Sequence, residues 1–270
     1  MKALLPIALA GMVLLGTACS KQEAAPSHSI EFQSLHGEYT YRLTGSARDY
    51  MRDSDIVCFD SVTLVLPTAV YDLDISALRD SILSAAFDTI LPPEQAMAHY
   101  FHKTAAEQGY PVDSIAEGPD EMTDADGLLI VDGSVSYLST SWLTYCVTTA
   151  VSMPGAAHGL TTNRYLNYSM ATGHLVTLHN LFTTRGLEAL PGIIASQARR
   201  MASVLGPTSI DALPANDNFL ITGEGTIIFT YQPYEVASYA QGEIRVPFYP
   251  YQLSDYMTPA ALALFHLDDI

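Results

Sequence analysis

Between Leu128 and Tyr168 apolar residues return at every second position. The run "LLIVDGSVSYLSTSWLTYCVTTAVSM" passes through Val135, Tyr137, Trp142, Tyr145, Val147 and Val151, and after a short break it resumes as Leu160, Thr162, Arg164, Leu166 and Tyr168. Successive side chains of a strand point to opposite faces, so a period of two over this length demands hairpin strands with one buried face. An all-helical chain is excluded. The break itself reads Gly155-Ala156-Ala157-His158-Gly159, one imidazole between small residues at the link between two long strands.

The flanking sequence adds helices to this sheet. Ile30, Phe32, Tyr39, Tyr41 and Leu43 predict two short strands around Gly37, and the β-branched run Ile56 to Val70 predicts a strand stopped by Pro67. In "DISALRDSILSAAF" the residues Ile75, Leu78, Ile82, Leu83 and Phe87 recur at three and four, a helical stripe with Asp74 as N-cap. A second helix follows Pro92-Pro93, with Met97, Tyr100 and Phe101 inward and Gly109 at its end. A third spans about Gly186 to Val204. Then come a hairpin over Gly223 to Gly225, a strand from Glu243 to Phe248 and a closing helix from Pro259 to Phe265. The expected class is α+β, with largely antiparallel sheets, helices packed on one face, and two closely associated subdomains at 30–149 and 150–270.

The N-terminus predicts export. Lys2, an apolar run from Ala3 to Leu15 too short to span a bilayer, and the sequence Leu15-Gly16-Thr17-Ala18-Cys19 resemble a bacterial lipobox. Residues 1–18 read as a signal peptide, Cys19 as the lipidated residue, and 19–29 as a tether holding the folded part at a cell-envelope membrane, on its periplasmic or surface face. The chain carries 12 basic and 29 acidic residues, a net charge of −17, and loss of Lys2 with the signal peptide makes it −18. That charge disfavours nucleic acid and suits a neutral or basic partner. Cys58 and Cys146 remain. Export permits a disulfide between them, and two small buried thiols are the alternative.

No cofactor or metal is expected. His99 and His102 lie three apart on a helical face, a ligand spacing, but on the polar side beside Lys103. The acids from Asp113 to Asp126 do not form an EF-hand, because Met122 and Gly133 fall where carboxylates are required. The chain has no G-x-S-x-G, H-E-x-x-H, P-loop or paired-cysteine signature.

Several separated phrases resemble a known family. "PGAAHG", "YLNYSMATGHLVTLHNLF" and "NFLITGEGTIIFTYQPYEVASYAQGEIRVPFYPYQL" resemble the C-terminal domain of RsiV, the lysozyme-responsive anti-sigma factor, which also stands beside the catalytic unit of the peptidoglycan deacetylase PdaC. The likeness covers about residues 150 to 256. Residues 54 to 145 are similar, by pattern, to the domain that precedes it in both proteins. Neither sigma-factor regulation nor deacetylation is carried over, since the segments responsible have no counterpart among the matching phrases. The resemblance implies a noncatalytic binding module with a lysozyme-like or peptidoglycan partner.

The residues themselves allow three roles for His158. Its small neighbours suit a tight chain reversal in which the imidazole bonds turn backbone, making Gly155, His158, Gly159 and, farther on, Gly242 structural. It could instead belong to a binding surface, or act as the base of a cell-wall or glycan hydrolase or deacetylase with Glu235 or Asp217. Tyr231, Tyr234, Tyr239, Tyr249 and Tyr251, set among Pro233, Gly242 and Pro250, predict a rigid aromatic patch for a protein or glycan. Glu235 there caps a turn or anchors a basic residue.

Overall fold

The computed structural model of the chain describes residues 29–43, 56–107, 115–117, 125–152, 156–201 and 212–267. β1 (Ile30–Leu43) and β2 (Ile56–Val70) pair antiparallel along the whole of β1. Gly37 does not divide β1 as expected. A Cβ there would lie 2.7 Å from the Met97 side chain, so the glycine makes room for a helix and not for a turn. Pro67 does not stop β2 either: it faces Phe32 where the register shifts, a place where its missing N–H is tolerated.

α1 (Ser76–Phe87) and α2 (Pro93–Glu107) follow, then β3 (Ile115–Glu117) beside the end of β1, and β4 (Gly127–Leu138) returns parallel to β2. The N-cap is Ile75 and not Asp74, which stands one residue earlier and accepts a hydrogen bond from the Ser76 N–H at 2.9 Å. β5 (Trp142–Ser152), β6 (Leu160–Ser169) and β7 (His174–Val176) complete a seven-stranded sheet in the order β3-β1-β2-β4-β5-β6-β7. On one face Val62, Leu64 and Leu66 of β2, Val131 of β4 and Leu143, Tyr145 and Val147 of β5 pack against Leu78, Ile82 and Phe87 of α1. β5 runs through residue 149, so the sheet is continuous across the expected subdomain boundary.

A second core lies on the other side. α3 (Leu178–Leu181) and α4 (Thr184–Arg200) precede β8 (Phe219–Ile221), β9 (Ile227–Tyr231) and β10 (Ile244–Phe248), which form a three-stranded sheet, and α5 (Pro259–Leu264) closes the described chain. Leu190, Ile194, Ala195 and Ala198 of α4 join Phe219, Phe229, Val246 and Phe248 of this sheet, with Trp142 of β5 in the same cluster. The fold is α+β and largely antiparallel, and each sheet carries its helices on one face.

Side-chain amides join the two sheets. β8 is an edge strand, yet its outward groups are satisfied: Asn167 donates to the Phe219 carbonyl at 2.7 Å and accepts from the Ile221 N–H at 2.8 Å, while Thr144 donates to the Ile221 carbonyl at 2.6 Å. The edge of β6 is treated likewise. Asn218 accepts from Tyr165 N–H and donates to Asn163 C=O, and Gln232 accepts from Asn163 N–H and donates to the same carbonyl. Each amide offers one acceptor and one donor side by side, as a peptide group does, and stands in for a missing strand.

The disulfide is not formed. Cys58 and Cys146 are both free. On β4 Cys58 is level with Gly127 and Cys146 with Ser134, about 23 Å apart along the strand at ~3.3 Å per residue, and the alternation puts them on opposite sheet faces. Burial pushes the Cys58 thiol up to about 11 and raises that of Cys146.

Candidate functional site

The loop from Gln232 to Glu243, between β9 and β10, begins with a tight turn. The Glu235 N–H donates to the Gln232 carbonyl at 3.0 Å, and Pro233 occupies the second position, where its fixed φ is favourable. The third position is Tyr234 with φ 71°. Type II turns reserve that place for glycine, because a Cβ in the left-handed region is strained. Glu235 latches the turn: its carboxylate accepts from the Gln232 N–H at 2.9 Å and from the Asn216 amide at 2.8 Å. A short 3-10 turn, Tyr239–Gln241, follows and ends at Gly242, whose φ of 65° explains the glycine.

This backbone presents rings. Tyr234 is 60% exposed and Tyr239 36%. His158, also exposed, lies over Tyr239 with ring centroids 3.8 Å apart and planes 18° from parallel. Tyr234 stacks beside both, at 5.7 Å from Tyr239 and 6.2 Å from His158. The imidazole is fixed at both nitrogens. Nδ1 lies 3.1 Å from the Gly159 carbonyl, which can only accept, so in the neutral ring the proton sits on Nδ1 and Nε2 accepts from the Tyr234 hydroxyl at 3.1 Å. Gly159 itself packs against the Val151 carbonyl, 3.0 Å from where its Cβ would be.

The strand link and the tyrosine loop therefore form one cluster, which sequence spacing did not reveal because 76 residues separate His158 from Tyr234. His158 does bond the backbone of its own turn, at the Gly159 carbonyl, as its small neighbours suggested, but it is exposed and its ring also meets Tyr234 and Tyr239. Gly155 lies outside the described residues, as do Cys19 and most of the acidic segment from Asp113. His99 is exposed, and the side chain of His102 is outside the described set. Among the described residues no group of three or more His, Cys, Asp or Glu is placed to hold a metal ion.

Two tyrosine expectations need correction. Tyr231 is fully buried, in the core beneath α4, with its hydroxyl donating to the Pro214 carbonyl at 2.9 Å, so it offers nothing to a ligand. Tyr249 and Tyr251 are exposed but separate. They stack on each other at 5.8 Å and 6° beyond the far end of β10, whose five residues put about 17 Å between them and the loop. Tyr231↔Ile244 and Ile227↔Phe248 mark the two ends of that ladder.

Beside the aromatic cluster a cavity of about 440 Å³ opens at the free edge of β6, lined by Asn163, Arg164, Asn216, Asp217, Gln232 and Glu235 among others. Most of these polar groups are engaged with the protein. Asp217 accepts from the Leu178 N–H at 2.8 Å, and Asn218 and Gln232 serve the sheet junction. The acids once paired with His158 in the catalytic expectation, Glu235 and Asp217, thus bond other groups.

Comparison with known proteins places the fold. Residues 179–249 match the family model described as "Protein of unknown function (DUF3298)", a segment that includes α4, β8 to β10 and the tyrosine loop but not His158. The chain is similar to the crystal structure of a DUF3298 family member from Bacteroides fragilis, at 17% identity and a TM-score of 0.66, over 91% of this chain and 100% of that one. It is also similar to a DUF3298 family protein from Pseudomonas aeruginosa, at 13% identity and a TM-score of 0.54, over 86% of this chain and 96% of that one. No curated protein matches.

Proposed function

We propose that the protein is an exported, lipid-anchored, noncatalytic binding module whose aromatic loop docks on a protein of net positive charge, of the lysozyme kind that the resemblance to the RsiV domain implies. The observation carrying this reading is Tyr234: a bulky residue held at φ 71° at the apex of a latched turn, its ring 60% exposed. Strain of this kind, about 1 to 3 kcal/mol, persists where the surroundings over-determine it and clusters at ligand clamps. Exposed tyrosines with few free torsions make large contacts at low entropic cost.

Charge supports the same partner class. A net −17 in the full chain, −18 once residues 1–18 are removed, would steer a cationic protein toward the molecule and raise its association rate. A hydrolase reading finds less support, because a general base needs an orienting acid and His158 bonds Gly159 and Tyr234 instead. Lipid attachment at Cys19 would hold the module at the membrane, and Cys19→Ala should abolish incorporation of labelled fatty acid during growth.

The test is a calorimetric titration of a cationic lysozyme into the purified protein. Binding is expected at low ionic strength, weakened at least about tenfold when salt shortens the screening length from roughly 30 Å to 8 Å. The Tyr234→Ala, Tyr239→Ala double variant should lose it. No heat at low salt, or equal binding by the double variant, would remove this reading.

A further inference from the structure

A second concave site opens on the opposite face of the large sheet, where β10 comes down over β5 and β6. Its volume is about 400 Å³, within the range of small-ligand pockets. None of its residues belongs to the aromatic loop.

One wall is made by an irregularity in β4. Val135 pairs with Tyr145 and Tyr137 with Thr144, so Ser136 is the extra residue of a β-bulge. Val135 points with Tyr145 toward α1. Strict alternation would send Tyr137 the same way, and the inserted residue turns it to the face of Thr144 instead. Ser136 and Tyr137 both line the cavity as a result, with the Tyr137 ring 36% exposed.

The opposite wall is Arg245 of β10. Its Nε donates to Glu243 at 2.7 Å, and its Nη2 donates to the Tyr165 hydroxyl at 2.7 Å. The guanidinium also lies 5.9 Å from the Tyr165 ring centroid. The cation is therefore fixed before any ligand arrives, which lowers the entropic cost of binding, and it keeps further N–H donors in hand. Asp132 and Ser134 of β4, with Thr148 of β5 and Asn163 of β6, complete the polar lining.

This set selects a ligand class by charge. Glu243, behind the crevice, neutralises Arg245, Asp132 in the lining is left over, and the chain as a whole is strongly acidic, so an anion is disfavoured. A cation would meet the guanidinium. Hydroxyl groups both donate and accept, matching a carboxylate acceptor, guanidinium donors and the two serine hydroxyls together. An apolar C–H face would lie on the Tyr137 ring. We propose that this crevice binds a neutral saccharide, with the bulge supplying the stacking ring and Arg245 and Asp132 the directional hydrogen bonds.

The proposal is tested on the ¹⁵N-labelled full chain, titrated with triacetylchitotriose and with cellotriose while backbone amide shifts are followed. Saturable shifts are expected at residues 134–137 and 245 with at least one of the two sugars, at a dissociation constant of about 1 mM or tighter. Tyr137→Ala and Ser134→Trp should each weaken binding at least about tenfold with unchanged thermal melting, whereas the Tyr234→Ala, Tyr239→Ala variant should bind like the parent. Glucuronate should not compete. No saturable shift with either sugar up to about 20 mM, shifts confined to the 234–239 loop, or parental affinity in both pocket variants would overturn it.

Discussion

Tyr234 and Asp60 show how much one residue can hold. Glycine at position 234 would relieve the left-handed strain while losing the stacking contacts, so Tyr234→Gly should leave the unfolding free energy within about 1 kcal/mol of the parent. Asp60 of β2 is buried, and one of its carboxylate oxygens has no hydrogen-bond partner among the described residues. Burial pushes its carboxyl up to about 7. The unfolded chain ionises the same group near pH 4, so between roughly pH 4 and 7 the folded state binds more protons and stability falls as pH rises. Asp60→Asn should flatten that fall and stabilise the protein at neutral pH by the order of 4 kcal/mol, read by urea unfolding at about pH 4 and pH 7.5. Neither feature is legible in the sequence: alternation says that position 60 faces inward, but not that one of its oxygens is left without a partner there, and nothing in "QPYE" declares a positive φ at a tyrosine.

At the scale of elements, the junction between the sheets depends on a few amides. Asn167 is buried and serves both Phe219 and Ile221. Asn167→Leu strands a carbonyl and an N–H of β8, and should cost at least about 2 kcal/mol in urea unfolding. At Gly186 of α4 a Cβ would collide with the Tyr256 carbonyl, so Gly186→Ala forces the helix away from that segment. Strands from Gly127 to Ser169 were legible because their period is short and recurs on both sides of the His158 link, and α1 because its stripe is regular. The reading of Gly37 and Pro67 as breakers failed, since one makes way for Met97 and the other sits at a bulge. The bulge at Ser136 and the amide junctions were also hidden, because they are decided by which strand lies alongside.

For the molecule as a whole, two cores share one continuous sheet, and the surface divides into an aromatic cluster near the β6 edge and a polar crevice on the opposite face. The sequence placed Tyr234 and Tyr239 in one aromatic patch and His158 apart from it, and folding brings the three together. It also grouped Tyr231 with Tyr249 and Tyr251, which topology sends to the core and to the far end of β10. On the proposed reading, the strong negative charge would make salt dependence a property of the whole surface, whereas the latched turn would confine affinity to one place. The most direct measurement is the ratio of lysozyme dissociation constants for Tyr234→Gly and the parent at equal ionic strength. A loss of at least about tenfold with preserved folding stability is expected if the strained turn exists to present that ring. A ratio near one, or no lysozyme binding by either protein, would contradict the account.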